Sequence, residues 1–102
     1  MVGSKIYMAP EIIKGEQHGI ACDMWSIGII LYTMLSNEYP FNLRNIDEEI
    51  INSPVLYLGE RWNDISIEAR TFISQCLAKD ESERLTASQA LQHLWFNKFE
   101  QA

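Results

Sequence analysis

The run from Cys22 to Leu35 holds one charge, Asp23, and the next charged residue is Glu38. Wound at about 3.6 residues per turn, it sets Trp25, Ile29 and Tyr32 on one side and Ile27, Leu31, Met34 and Leu35 on another, with Ile30 filling much of the gap. A helix apolar nearly all round belongs inside a protein. A bilayer span takes ~20 apolar residues, and Ser26, Gly28 and Thr33 interrupt this shorter run. The expectation is therefore a buried helix of a globular protein, with no membrane role. Gly28 at mid-helix costs about 1 kcal/mol against alanine, which is tolerable where another backbone comes close. Asp23 suits an N-terminal helix charge; its alternative is a buried acceptor that fixes a neighbouring loop.

A length of 102 residues leaves room for one domain or part of one. The net charge of −6 and the lack of a Lys/Arg cluster argue against nucleic-acid or anionic-membrane partners. Cys22 and Cys76 lie far apart, so neither a disulfide framework nor a zinc site is signalled. His18 and Cys22 are spaced for one helix face, but no further ligands gather near them, and no metal site is expected. An intracellular, cytoplasmic setting fits this cysteine usage, and the first residues lack the basic-then-apolar shape of a signal peptide.

Around the central helix the chain reads as a series of capped helices. A loop opens it, and Pro10, Glu11 and Gly15 mark a single helical turn from first position to the residue past its end. Pro40 disfavours helix at Tyr39 and closes the central helix. Asn45 with Glu48 resembles a capping box leading to Ile50 and Ile51, and Pro54 stops that helix, which is thin in apolar residues and expected on the outside. Residues 55–64 read as an irregular loop. Ser66 caps a helix whose Ala69, Phe72, Ile73, Cys76 and Leu77 form an amphipathic stripe. Thr86 with Gln89 makes another capping box, with Leu85 and Ala90 placed for a hydrophobic staple and Ala90, Leu91, Leu94 and Trp95 on one face. No run alternates with period two, so the fold class is all-α. Composition and periodicity name no chemistry.

The motifs do. Gly3-Ser4-Lys5-Ile6-Tyr7-Met8-Ala9-Pro10-Glu11 resembles the Gly-Thr-x-x-Tyr-x-Ala-Pro-Glu signature that closes the activation segment of eukaryotic Ser/Thr protein kinases. Asp23-Met24-Trp25-Ser26-Ile27-Gly28 resembles the Asp-x-Trp-Ser-x-Gly signature of the kinase large lobe. Asp80, Arg84, Leu85, Thr86, Ala90, Leu91, His93 and Trp95 resemble the closing Arg-containing motif and the His-Pro-Trp helix end. The three motifs, in family order, span residues 3–96, and the Trp25-to-Tyr32 flavour is most similar to the calmodulin- and calcium-dependent kinase group. The resemblance implies that residues 1–102 are a partial kinase domain, the C-terminal half of a large lobe packed around one buried helix.

It also implies roles. Ser4 matches the hydroxyl residue beside the catalytic Asp and Lys, and Lys5, Tyr7 and Met8 match the loop shaping the pocket for the substrate residue after the phosphoacceptor. Glu11 and Arg84 match a buried ion pair tying that loop to the lobe. Asp23 matches the acceptor holding the catalytic loop's backbone, Trp25 and Gly28 belong to the same lobe signature, and Ile30 and Met34 match apolar supports beneath the adenine-side stack. Tyr39 and Phe41 suit either a substrate-facing edge or packing. Glu81 and Leu94 stand where the family has proline, and Thr33 where some basophilic members have glutamate.

Other parts of a kinase are not found. Phosphoryl transfer needs a Gly-rich loop, a strand lysine, a catalytic-loop Asp and Asn and a metal-binding Asp; no His-Arg-Asp or Asp-Phe-Gly occurs, and Lys5, Lys14, Lys79 and Lys98 lie in no Val-Ala-x-Lys context. The expectation is a chain that alone binds neither ATP nor magnesium and transfers no phosphate, while the whole kinase uses both on a protein or peptide substrate. The rest of the kinase domain would be its partner, and its loss would leave part of the central helix uncovered and open to self-association. The alternatives are a noncatalytic scaffold derived from a pseudokinase and an unrelated helical interaction module.

Overall fold

In a computed structural model, residues 2–16, 19 and 21–92 are described, with side chains from Lys5 onward. Among the described residues every regular element is helical. The α-helices are α1 (Pro10–Ile13), α2 (Ala21–Ser36), α3 (Ile46–Asn52), α4 (Ile67–Cys76) and α5 (Ala87–Leu91), and three 3-10 helices, Val2–Tyr7, Leu43–Asn45 and Glu60–Asp64, lie between and before them.

The core is built on α2. Trp25 and Ile29 are fully buried and Tyr32 nearly so, joined by Ile6, Phe41, Ile50, Trp62, Ile73 and Leu77. Trp25 stacks on Phe41 with ring centroids 6.0 Å apart, so packing is the role of Phe41, while Tyr39 stands exposed. The heaviest packing of α2 is against α4, and Gly28 makes it possible. A Cβ on Gly28 would lie 2.8 Å from both the Cys76 Cβ and Leu77 Cδ2. The close approach is thus to side chains of the facing helix.

The other face of α2 is not buried all round, as periodicity alone suggests, but partly uncovered, as the kinase resemblance implies. Asp23, Ile27, Ile30 and Met34 form one exposed stripe, with Met34 73% exposed. Apolar composition shows that a face needs a cover, but not that the cover lies within the same 102 residues. Asp23 takes the helix-start position in the first turn. Its side chain is exposed among the described residues.

Several helix ends follow the capping chemistry. Gly15 adopts φ 77° just past α1 and its N–H reaches the Ile12 carbonyl at 3.0 Å, a left-handed stop that glycine makes without strain. Ser66 Oγ accepts from the Ala69 N–H at 3.1 Å. Thr86 and Gln89 form the reciprocal capping box, and Leu85 and Ala90 are both buried in one cluster. The α4 stripe is buried throughout.

Other ends differ from the sequence reading. The central helix stops at Ser36 because Asn37 turns left-handed at φ 62°, ahead of Pro40. Asn45 caps nothing with its side chain; Asn42 Oδ1 takes the Arg44 N–H at 2.9 Å and starts a 3-10 turn that runs into α3. That helix is half in and half out, with Ile46 and Ile50 buried and Asp47 and Glu48 exposed. Residues 2–7 and 60–64 are 3-10 helices rather than loops. Leu91 is 72% exposed, off the buried face; His93, Leu94 and Trp95 lie outside the described residues, as does His18.

Candidate functional site

The opening segment is the part of the molecule most deliberately fastened down. Its backbone is held from α2: the Trp25 indole N–H donates to the Ile6 carbonyl at 3.3 Å, and the Ser26 hydroxyl donates to the Tyr7 carbonyl at 2.8 Å. Ile6 and Ala9 are fully buried beneath it. Two residues on, Glu11 meets Arg84 across the chain. Nη1 lies 2.7 Å from Oε2 and Nη2 lies 2.9 Å from Oε1, a two-pronged contact between side chains that are essentially sealed from water.

Arg84 leaves no donor idle. Its remaining N–H groups go to the carbonyls of Ala78 (2.9 Å), Ala21 (3.1 Å) and Lys79 (3.3 Å). With five donors and five acceptors the guanidinium is fully satisfied, and its carbon sits 5.4 Å over the Trp25 ring. Burying the pair costs desolvation, which only such complete pairing offsets. The same side chain therefore joins α1, the start of α2 and the turn after α4. Asp80 tightens that turn by accepting from the Ser82 N–H at 3.0 Å and hydroxyl at 2.8 Å; these bonds, led by the hydroxyl's, hold its carboxyl below the usual range.

Fastening the backbone leaves side chains facing out. Lys5 and Met8 are exposed and Tyr7 is half-buried. The Lys5 ammonium lies 3.4 Å from the Asp47 carboxylate at the start of α3, both side chains about half exposed. Between them opens a groove of about 470 Å³, with Lys5 on one side and residues 43–48 on the other. Of the sequence-predicted residues, Lys5, Tyr7, Met8, Glu11, Arg84, Trp25 and Gly28 thus share one body of structure. Ser4 lies in the same 3-10 helix, its side chain outside the described set. Asp23, Ile30 and Met34 are on the opposite, uncovered face of α2.

Sequence reasoning assigned no role to Ser26, Asp47 or Lys79. Ser26 was visible inside the Asp-x-Trp-Ser motif, whereas Asp47 and Lys79 gain theirs only through tertiary neighbours. Lys79 points at the C-terminal end of α3, donating to the Ile50 carbonyl and lying 3.5 Å from that of Glu49. Burial lowers its amine to about 8, against a smaller opposing pull from Glu49.

Comparison with known proteins decides what this arrangement is. The protein kinase domain family matches residues 1–96. The chain belongs to the protein kinase family. It is 37% identical over 102 residues to the Serine/threonine-protein kinase PKZ1 of Phytophthora infestans, covering 94% of this chain and 26% of that protein. It is 39% identical over 98 residues to Calcium-dependent protein kinase 21 of Arabidopsis thaliana, covering 93% and 18%. Among solved structures, the autoinhibited serine kinase domain of the giant muscle protein titin superposes with a TM-score of 0.88 at 38% identity, over 93% of this chain and 30% of that one. The chain therefore spans about a quarter or less of the curated relatives it matches. Within the kinase fold it corresponds to the C-terminal part of the large lobe, and its relatives include calcium/calmodulin-dependent kinases. Among the described residues no three His, Cys, Asp or Glu side chains gather into a metal-binding group.

Proposed function

We propose that this chain builds the peptide-substrate floor of a Ser/Thr protein kinase, and that the whole kinase transfers the ATP γ-phosphoryl group to protein Ser or Thr hydroxyls with magnesium. The single observation that carries the reading is the fastening of the opening segment. Its backbone is bonded to Trp25 and Ser26, its end is clamped by Glu11 and Arg84, Lys5 lines a groove, and Met8 is exposed beside a half-buried Tyr7. Phosphoryl transfer depends on holding the acceptor in line more than on covalent help from the protein. A rigid backbone presenting accessible side chains suits that task. Ser4 would stand beside the catalytic groups at the start of the same segment.

On this reading the exposed stripe of α2 is where the rest of the kinase domain packs: Asp23 would take the catalytic loop's backbone, and Ile30 and Met34 would support the apolar stack toward the adenine. The isolated chain is inactive and uses that uncovered face to self-associate. An intracellular, cytoplasmic location goes with the two free cysteines.

Two measurements on the chain test this. Adding Ser- and Thr-containing peptides should shift amide resonances of Lys5 to Met8 and Ile46 to Glu48; shifts confined to α5 would overturn the peptide-floor assignment. Incubation with labelled ATP and magnesium should transfer no phosphate, and robust transfer would overturn the claim of inactivity.

A further inference from the structure

We propose that Lys79 is a positioning residue, tying the C-terminal carbonyls of α3 to the Glu11–Arg84 clamp so that the helix walling the groove is held in register with the opening segment. The chain of contacts is continuous. At one end the Lys79 backbone carbonyl accepts from Arg84 Nη2 at 3.3 Å, and the same guanidinium grips Glu11. At the other, the Lys79 ammonium donates to the Ile50 carbonyl and lies within reach of that of Glu49. The last carbonyls of a helix lack partners within it and attract a cation. Between these ends the amine sits 4.7 Å from the centroid of the Phe41 ring and 5.7 Å from that of Trp25, aromatic faces that favour a cation.

What α3 carries gives the tie its consequence. Ile46, Asp47 and Glu48, its first turn, line the groove opposite Lys5. Moving the C-terminal end of so short a helix moves its first turn too, and with it the Asp47 partner of Lys5. The significance for substrate rests on the peptide-floor reading; the mechanical coupling does not.

The charged groups around Lys79 are already committed or lie apart from it. From α3, the Glu49 carboxylate takes the Ser53 hydroxyl at 2.7 Å and the Asn42 N–H at 3.2 Å, the first of these doing most to lower its pKa. From α1, Glu11 is held by Arg84. Lys14, Glu16, Asp80 and Glu81 stand around the cleft that Lys79 also borders, and α2 offers it the Trp25 ring. Lys79 is thus the titrating group in direct contact with the α3 carbonyls.

The test follows α3 amide resonances of the full chain between about pH 6.5 and about pH 9.5, in the wild type, Lys79→Met and Lys79→Arg. In the wild type the resonances of Glu49 to Asn52, and with them Asp47 and Glu48, should move with a midpoint near 8. Both variants should lose that step. Lys79→Met should also lower hydrogen-exchange protection of the Ser53 amide, which donates to the Glu49 carbonyl at 2.9 Å, by roughly tenfold, the scale of one hydrogen bond to a charged group, while Lys79→Arg retains it. The proposal is overturned if the step persists in either variant, or if folded Lys79→Met keeps wild-type α3 shifts and protection. Should Lys79→Met not fold, Lys79→Arg alone decides by the presence or absence of the step. Failure of the peptide-floor reading would show instead as unresponsive Lys5 and Asp47 resonances when peptide is added.

Discussion

Among the described residues two ion pairs join the opening segment to later parts of the chain, and they are opposites. Glu11–Arg84 is sealed from solvent, two-pronged, and surrounded by three further carbonyl acceptors. Lys5–Asp47 is a long contact, the ammonium 3.4 Å from each carboxylate oxygen, between half-exposed side chains. The first is an obligation, since removing either partner strands a buried charge. The second is a convenience that water and salt readily replace. The segment between them is thus held firmly at the end nearest α1 and loosely at the end nearest the groove.

The largest effect should come from the sealed pair. Glu11→Ala or Arg84→Ala should cost about 3–5 kcal/mol, read as a lowered urea midpoint at unchanged slope; a cost under about 1 kcal/mol would erase the contrast between the pairs. Next comes the helix contact beneath the clamp. Gly28→Ala gains about 1 kcal/mol of helix propensity but forces a Cβ to within 2.8 Å of the Cys76 and Leu77 side chains, and overpacking costs about 1–3 kcal/mol, so the net should be a modest loss of thermal stability.

A pH dependence ranks third. The Lys79 amine is lowered in the folded state to about 8 from its ordinary 10.5, so between those values the unfolded chain binds more protons and stability rises with pH. Cys76 works the other way. Burial raises its thiol from 9.0 to about 12, so above pH 9 the unfolded chain loses its proton first and stability falls. The Lys79 contribution should therefore stand clear between pH 8 and pH 9, as a rise in melting temperature present in the wild type and absent from Lys79→Met. Smallest of all, Lys5→Ala or Asp47→Ala should change stability by no more than about 1 kcal/mol and be screened by salt, which matched melts at low and high salt would check.

The motifs made the clamp legible, while periodicity and capping residues made the helices legible. Ser66, Thr86 and Gln89 act locally, within a turn of their own helix, so their chemistry can be read from neighbours in sequence. Glu11 and Arg84 are 73 residues apart, and only resemblance to a kinase joined them in advance. The 3-10 helix at Val2–Tyr7 was hidden because bonds from Trp25 and Ser26, far along the chain, hold the carbonyls of its last residues. The start of α3 was legible, with Asn45 in the cap position ahead of Ile46, but the capping bond was not: the Asn42 side chain makes one a turn earlier and that of Asn45 makes none. The uncovered stripe at Ile27, Ile30 and Met34 had no signal in periodicity, since an apolar residue looks alike whether or not its partner lies within the chain; only resemblance to a kinase pointed to an uncovered part of the helix.

A double-mutant cycle on Glu11 and Arg84 tests the central claim most directly, run by urea denaturation with a stabilising osmolyte so that every variant begins folded. Glu11→Ala should cost about 3–5 kcal/mol in the wild-type background and close to nothing once Arg84 is alanine. Equal costs in both backgrounds would mean that the two side chains do not act on one another, and that the opening segment is held by something else.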